Sequence, residues 1–384
     1  MSELPPTLEP VVQLSESDLG FEYPIDKLSR ALERRKSVQA VGLDGAFLAA
    51  TLASATVRSG RPTVIVTPTL AIAEELAQDL QAFGVGRVDQ ELLVVPPPDV
   101  SPYGEISPDR LRIMGRLNTQ FRLAMGDDVR VILLPVAGAM RKLAPWSEIE
   151  KASQLFSVGD SVDYDELRAM LVRGGYTSVR VVEDPGTFAI RGGIIDVFSP
   201  YNELPLRLDL WGDEIESIRT FDPQTQRTAD KVDSLFVFPV REEIVTPETL
   251  KHAREQLLEQ ADRIGLPSAR VTEVLNDLES GYNFFGIEAL LPALYPLQSS
   301  LDLLPAEANW VVIEREHVEQ VAAQIWNARD TEFKRYVEEQ EGFAFPPEAF
   351  FLSPESVLGA VRDHEAVEIS PPGSDTTRGL IFSS

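Results

Sequence analysis

The chain has 384 residues, with 61 acidic against 35 basic side chains and a formal net charge of −26, a balance that disfavours nucleic acid or an anionic membrane as partner of the chain as a whole, because both require a cationic stripe. It holds no cysteine, which excludes disulfides, thiolate catalysis, zinc–thiolate sites and iron–sulfur clusters, and its three histidines, His252, His317 and His364, are too far apart in sequence to form a ligand-spaced metal motif. No run of about 18 apolar residues could span a bilayer, and the acidic, Pro-rich start up to Asp26 lacks the basic and then apolar pattern of a leader, so a cytoplasmic protein without metal is expected.

The first third alternates short apolar runs with longer amphipathic segments, as strands joined by crossover helices do. Strands are predicted at 38–42, 63–67, 92–95 and 129–134, and helices at 46–57, 70–83 and 108–125. The strands read as unbroken apolar runs, the pattern of parallel strands covered on both faces. Four arginines on the third helix, Arg110, Arg112, Arg116 and Arg122, are spread around its circumference and read mostly as solvated charge, with a local DNA contact as the alternative. From about residue 151 the pattern changes. A helix at 163–173 is followed by segments rich in β-branched residues at 178–182, 188–198, 206–211, 214–221 and 232–238, separated by turns such as Asp184-Pro185-Gly186 and Gly212-Asp213. Helical periodicity then resumes at 247–264 and 268–280, with a strand at 310–313, a long helix at 316–339 and a last strand at 366–369. The fold expected is α/β, an open parallel sheet with a small inserted α+β domain carrying an antiparallel sheet.

In such a sheet the turn after the first strand is where backbone N–H groups at a helix N-terminus meet phosphates. Here it reads Ala40-Val41-Gly42-Leu43-Asp44-Gly45-Ala46-Phe47. A P-loop would need a lysine for the β- and γ-phosphates and a hydroxyl for magnesium; neither is present, and Asp44 adds a negative charge. No ATP binding is expected.

The insert carries a resemblance. The run Ala189-Ile190-Arg191-Gly192-Gly193-Ile194-Ile195-Asp196-Val197-Phe198, the run Leu206 to Arg219 containing Trp211-Gly212-Asp213-Glu214, and the Phe221-Asp222 to Gln226-Arg227 segment are similar to the UvrB/Mfd family. They lie closer to its transcription-repair coupling branch than to the excision-repair helicase UvrB. Pro102-Tyr103 with Ser107-Pro108 and Gly286-Ile287-Glu288 extend the similarity over about residues 25–370. The resemblance implies a degenerate helicase-like (P-loop NTPase-type) domain 1a at 1–150, domain 2 at 151–240, domain 1b at 241–372 packing on 1a, and a tail at 373–384. It also implies that this module is no enzyme and that domain 2 recruits UvrA through Arg191, Arg207 and Trp211. RNA polymerase and DNA would be met through translocase regions beyond these residues, so the chain reads as an excised piece in preference to the alternative, a stand-alone degenerate paralogue. A monomer is expected. The competing reading is an active UvrB-like DNA helicase or ATPase.

The residues themselves suit a docking role. Along an extended strand Arg207, Asp209 and Trp211 share one face and Leu208 and Leu210 the other, and arginines beside an exposed tryptophan are the usual make-up of an interface hot spot. The plainer alternative pairs Arg207 with Asp209.

Overall fold

The computed structural model describes residues 22–33, 39–86, 91–104, 106–280, 286–339, 343–371 and 380–381. The Pro-rich start and most of the expected tail lie outside the described residues. Thr63–Thr67, Val131–Pro135 and Asn309–Ile313 are buried at every position, and they form the middle of a seven-stranded sheet in which every neighbouring pair is parallel. Its order is Leu380–Ile381, Gln39–Val41, Val367–Ser370, Asn309–Ile313, Thr63–Thr67, Val131–Pro135, Leu92–Val94.

Side chains alternate across this sheet. Ile65, Leu133 and Val311 pack with Leu48 and Leu52 of the helix Gly45–Ser59 and Leu76 and Leu80 of the helix Leu70–Ala82. Val64, Ile132 and Val312 pack on the opposite face with Val318 and Ala322 of the helix Arg315–Glu339 and Val357 and Val361 of Pro354–Asp363. Burial on both faces explains why no polar alternation is visible in these strands. The architecture is the α/β, helicase-like open sheet with an inserted domain.

Two differences from the sequence reading are topological. The segment 241–372 does more than pack back on the first: Asn309–Ile313 pairs with Thr63–Thr67 on one side and Val367–Ser370 on the other, so the sheet is completed only late in the chain. Within the expected tail, Leu380–Ile381 pairs with Ala40–Val41 as an edge strand.

The insert leaves and rejoins the body through a two-stranded neck, Gln154–Ser157 antiparallel to Ser234–Val237. Its own sheet has six strands in the order Thr228–Val232, Glu214–Phe221, Leu206–Trp211, Ile194–Phe198, Thr187–Arg191, Thr177–Ser178. The strand expected at 232–238 is divided between this sheet and the neck, and the segment expected at 188–198 is a hairpin, Arg191 opposite Ile194 around Gly192-Gly193. Helix Tyr164–Arg173, whose N-terminus is capped by Asp163 Oδ1 accepting from the Asp165 and Glu166 amides at 2.9 Å each, covers one face. There Leu167 and Leu171 pack on Phe188, Ile195, Val197, Leu206, Leu208, Ile215 and Ile218.

The helix Arg110–Met125 lies between body and insert, and this overturns the expectation of solvated arginines. Arg116 and Arg122 are each 6% exposed, and Arg112 alone of the four is exposed. Arg116 donates to Glu242 at 3.0 Å and Arg122 to Asp127 at 2.9 Å. Arg110 donates to the carbonyls of Gly175 and Gly186 at 2.9 and 2.6 Å and to Thr177 Oγ1 at 3.0 Å. Phe121 of the same helix stacks on Phe238 at 5.2 Å between ring centroids. A helix contacted on several sides places arginines against carbonyls and carboxylates whichever way they point, which spacing along the sequence alone cannot show.

Candidate protein-docking surface

The face of the insert sheet opposite its helix is largely polar. A small apolar group, Val182, Ala189, Phe198 and Phe221, lies on it, and around this stand the predicted residues. Arg191 ends one strand and Trp211 another. Those two strands run in the same direction, because each is antiparallel to Ile194–Phe198, so both side chains come to one end of the sheet. Two two-residue turns close that end: Gly192-Gly193, with Gly192 at φ 58°, and Gly212-Asp213, with Gly212 at φ 66°. A glycine with positive φ at the first turn position is what a tight hairpin with native strand twist requires. The backbones meet closely here, with the Leu210 amide donating to the Gly193 carbonyl at 2.7 Å.

The three predicted residues differ in environment. Trp211 is 82% exposed. The Arg191 side chain is 47% exposed and the Arg207 side chain 15%. Both arginines converge on Asp196, which is fully buried: Arg191 Nη2 donates to Oδ2 at 2.5 Å, Arg207 Nε to Oδ1 at 2.7 Å and Arg207 Nη2 to Oδ2 at 3.0 Å. These hydrogen bonds hold the Arg207 guanidinium above its ordinary pKa. Its carbon also lies 4.6 Å from the centre of the Phe221 ring, an arrangement favourable to a cation. The alternative partner, Asp209, instead accepts from Ser217 at 2.9 Å and lies 3.9 Å from Arg219. Arg207 is therefore braced from beneath, whereas Arg191 and Trp211 face solvent.

Asp196 and Phe221 were not picked out from the sequence. The signal for Asp196 was a lone carboxylate inside the run Ile194-Ile195-Asp196-Val197-Phe198, a position that needs a cation to be buried at all.

The turn at Gly42 to Gly45 has Gly42 and Gly45 at φ 91° and 44°, and Asp44, exposed, gives no side-chain cap to the helix that follows. Among the described residues no group of three or more His, Asp or Glu could hold a metal ion, and no helix is long and apolar enough to cross a membrane.

Residues 155–242, which contain Arg191, Arg207 and Trp211, match the family described as the UvrB interaction domain. The chain is 35% identical over 357 residues to the transcription-repair-coupling factor of Myxococcus xanthus, covering 91% of this chain and 29% of that protein. It is 31% identical over 246 residues to that of Bacillus subtilis, covering 64% and 20%, and 32% identical over 200 residues to that of Escherichia coli K12, covering 52% and 17%. The chain thus spans less than a third of the length of these relatives. The insert's match and the similarity along nine-tenths of the sequence are those of an N-terminal UvrB-homology module of the transcription-repair-coupling factors.

Proposed function

We propose that the chain is a non-catalytic, monomeric adaptor module of the cytoplasm that recruits UvrA, the damage sensor of nucleotide excision repair, to stalled RNA polymerase through its insert. Arg191 and Trp211 make the direct contacts, and Arg207 contributes its remaining exposed edge. The observation that carries this reading is an indole 82% exposed at the same sheet end as a half-exposed arginine, on a braced face of the domain that matches the UvrB interaction family. Leaving that much aromatic surface in water contributes little to the fold itself and is what a residue reserved for a partner does.

Titration calorimetry of the chain against UvrA tests it. Trp211→Ala and Arg191→Ala are each expected to weaken binding by about 2 kcal/mol, roughly thirtyfold, with the fold intact by circular dichroism. Unchanged affinity in both rejects the site.

The absence of ATP turnover belongs to the same proposal. The turn at Gly42 to Gly45 offers no lysine to a triphosphate and presents Asp44, which argues against an active UvrB-like helicase. Fluorescent-nucleotide binding together with phosphate release by the isolated chain would overturn this part. Contacts with RNA polymerase and DNA are assigned to other regions of the full-length relatives.

A further inference from the structure

A row of side chains crosses the docking face at right angles to its strands. Cross-strand register places Ala189 opposite Asp196, Asp196 opposite Arg207, Arg207 opposite Arg219 and Arg219 opposite Lys231. Three cations thus stand in succession on neighbouring strands. Like charges directly opposite one another in an antiparallel pair are destabilising, and within this face little offsets them. Asp196 is already taken up by Arg191 and Arg207. Asp209 is 3.9 Å from Arg219, whose Nε is buried with no hydrogen-bond partner. Lys231 is exposed on the edge strand and has no ion-pair partner among the described residues.

We infer that Arg219 and Lys231 extend the docking surface from the Arg191–Trp211 end to the sheet edge, and that this extension takes an acidic patch of the same protein partner. The inference rests on the docking reading above. The repulsion that the row costs the free chain is relieved when carboxylates of the partner settle along it, so charge selects the partner and accelerates encounter. A phosphate backbone fits this face less well, because Asp209 and Glu214 stand on it beside the cations and the whole chain carries −26.

A lysine on an edge strand can also act only to prevent strands from pairing edge to edge, so the test must separate the two roles. The double variant Arg219→Gln/Lys231→Gln, in the full 384-residue chain, is titrated with UvrA at low salt and at about 0.15 M. Binding is expected to weaken about tenfold at low salt, with a shallower salt dependence, while the melting temperature stays level or rises because the cross-strand repulsion is gone. Lys231→Glu, which puts a carboxylate opposite Arg219 and so removes the positive charge of both positions, is expected to weaken binding at least as much. Affinity and salt dependence equal to the parent in both variants, with Trp211→Ala still impaired, overturn this inference and leave the adaptor reading standing. If Trp211→Ala is unimpaired as well, the docking face itself is rejected. Retention of duplex DNA that the double variant loses would reassign the row to nucleic acid and likewise overturn the inference.

Discussion

Arg116 Nη2 donates to Glu242 Oε2 at 3.0 Å with both side chains 5% exposed, joining the helix that separates body from insert to the chain just beyond the neck. Arg141 approaches the same carboxylate oxygen at 3.8 Å, and Asp99 lies 3.8 Å from Arg116. The Tyr295 hydroxyl donates to the Glu242 carbonyl. Asp99, Arg116, Arg141, Glu242 and Tyr295, far apart in the sequence, therefore meet around one ion pair.

Burial alone would raise the pKa of Glu242, but Arg116 and Arg141 outweigh it and hold the group below its ordinary value of 4.5. A carboxylate whose folded pKa is depressed stabilises the fold above its unfolded value, and that contribution is lost as pH falls through the folded one. Glu242→Gln is expected to lower stability at neutral pH by about 3 kcal/mol or more. The gap to the parent should narrow as pH drops below 4.5. Urea unfolding at neutral and acidic pH reads both.

Arg110 pins the Gly175 and Gly186 turns of the insert to the body with three hydrogen bonds. Arg110→Ala is expected to cost about 2 kcal/mol, since charged donors to neutral acceptors are worth more than ordinary ones. Hydrogen exchange at residues 174–187 should accelerate, while the seven-stranded sheet keeps its protection.

At the docking face, Asp196→Ala removes the anion shared by two guanidiniums, and Arg207→Ala leaves a fully buried carboxylate with Arg191 alone. Each is expected to destabilise the insert by about 3–5 kcal/mol. Arg191→Ala, at a side chain half open to water, should cost clearly less. Denaturant midpoints give the ranking, and equal losses at Arg191 and Arg207 would contradict the asymmetry in exposure.

The two hairpin glycines should respond differently. A Cβ on Gly193 would lie 2.9 Å from the Leu210 carbonyl oxygen, whereas one on Gly212 meets nothing within 4 Å but sits at φ 66°. Gly212→Ala is expected to cost about 1 kcal/mol from backbone strain and Gly193→Ala about 2 kcal/mol or more from the clash, as read from thermal melts.

Much of this architecture is legible because its strands carry their burial in composition: 63–67 and 310–313 read as strands and lie in the strands Thr63–Thr67 and Asn309–Ile313. The docking strand 206–211 was legible because alternation survives where one face meets water, which put Arg207 and Trp211 on the same side. What could not be read was partnership. Helix spacing assigns Arg116 and Arg122 to solvent because the sequence does not say which surfaces will close over a helix, and the plainer alternative for Arg207 offers only Asp209, two residues away, when its anion is Asp196 on the neighbouring strand. Register supplies that information, and register is a property of the assembled sheet.

The pair of turns at one end of the insert sheet has a kinetic consequence. With only two residues in each loop and a hydrogen bond tying Leu210 to Gly193, the segment that presents the indole has little backbone freedom to surrender on capture. Such preorganisation spares the complex an ordering penalty, and substitutions there should register in how long the partner stays rather than in how fast it arrives.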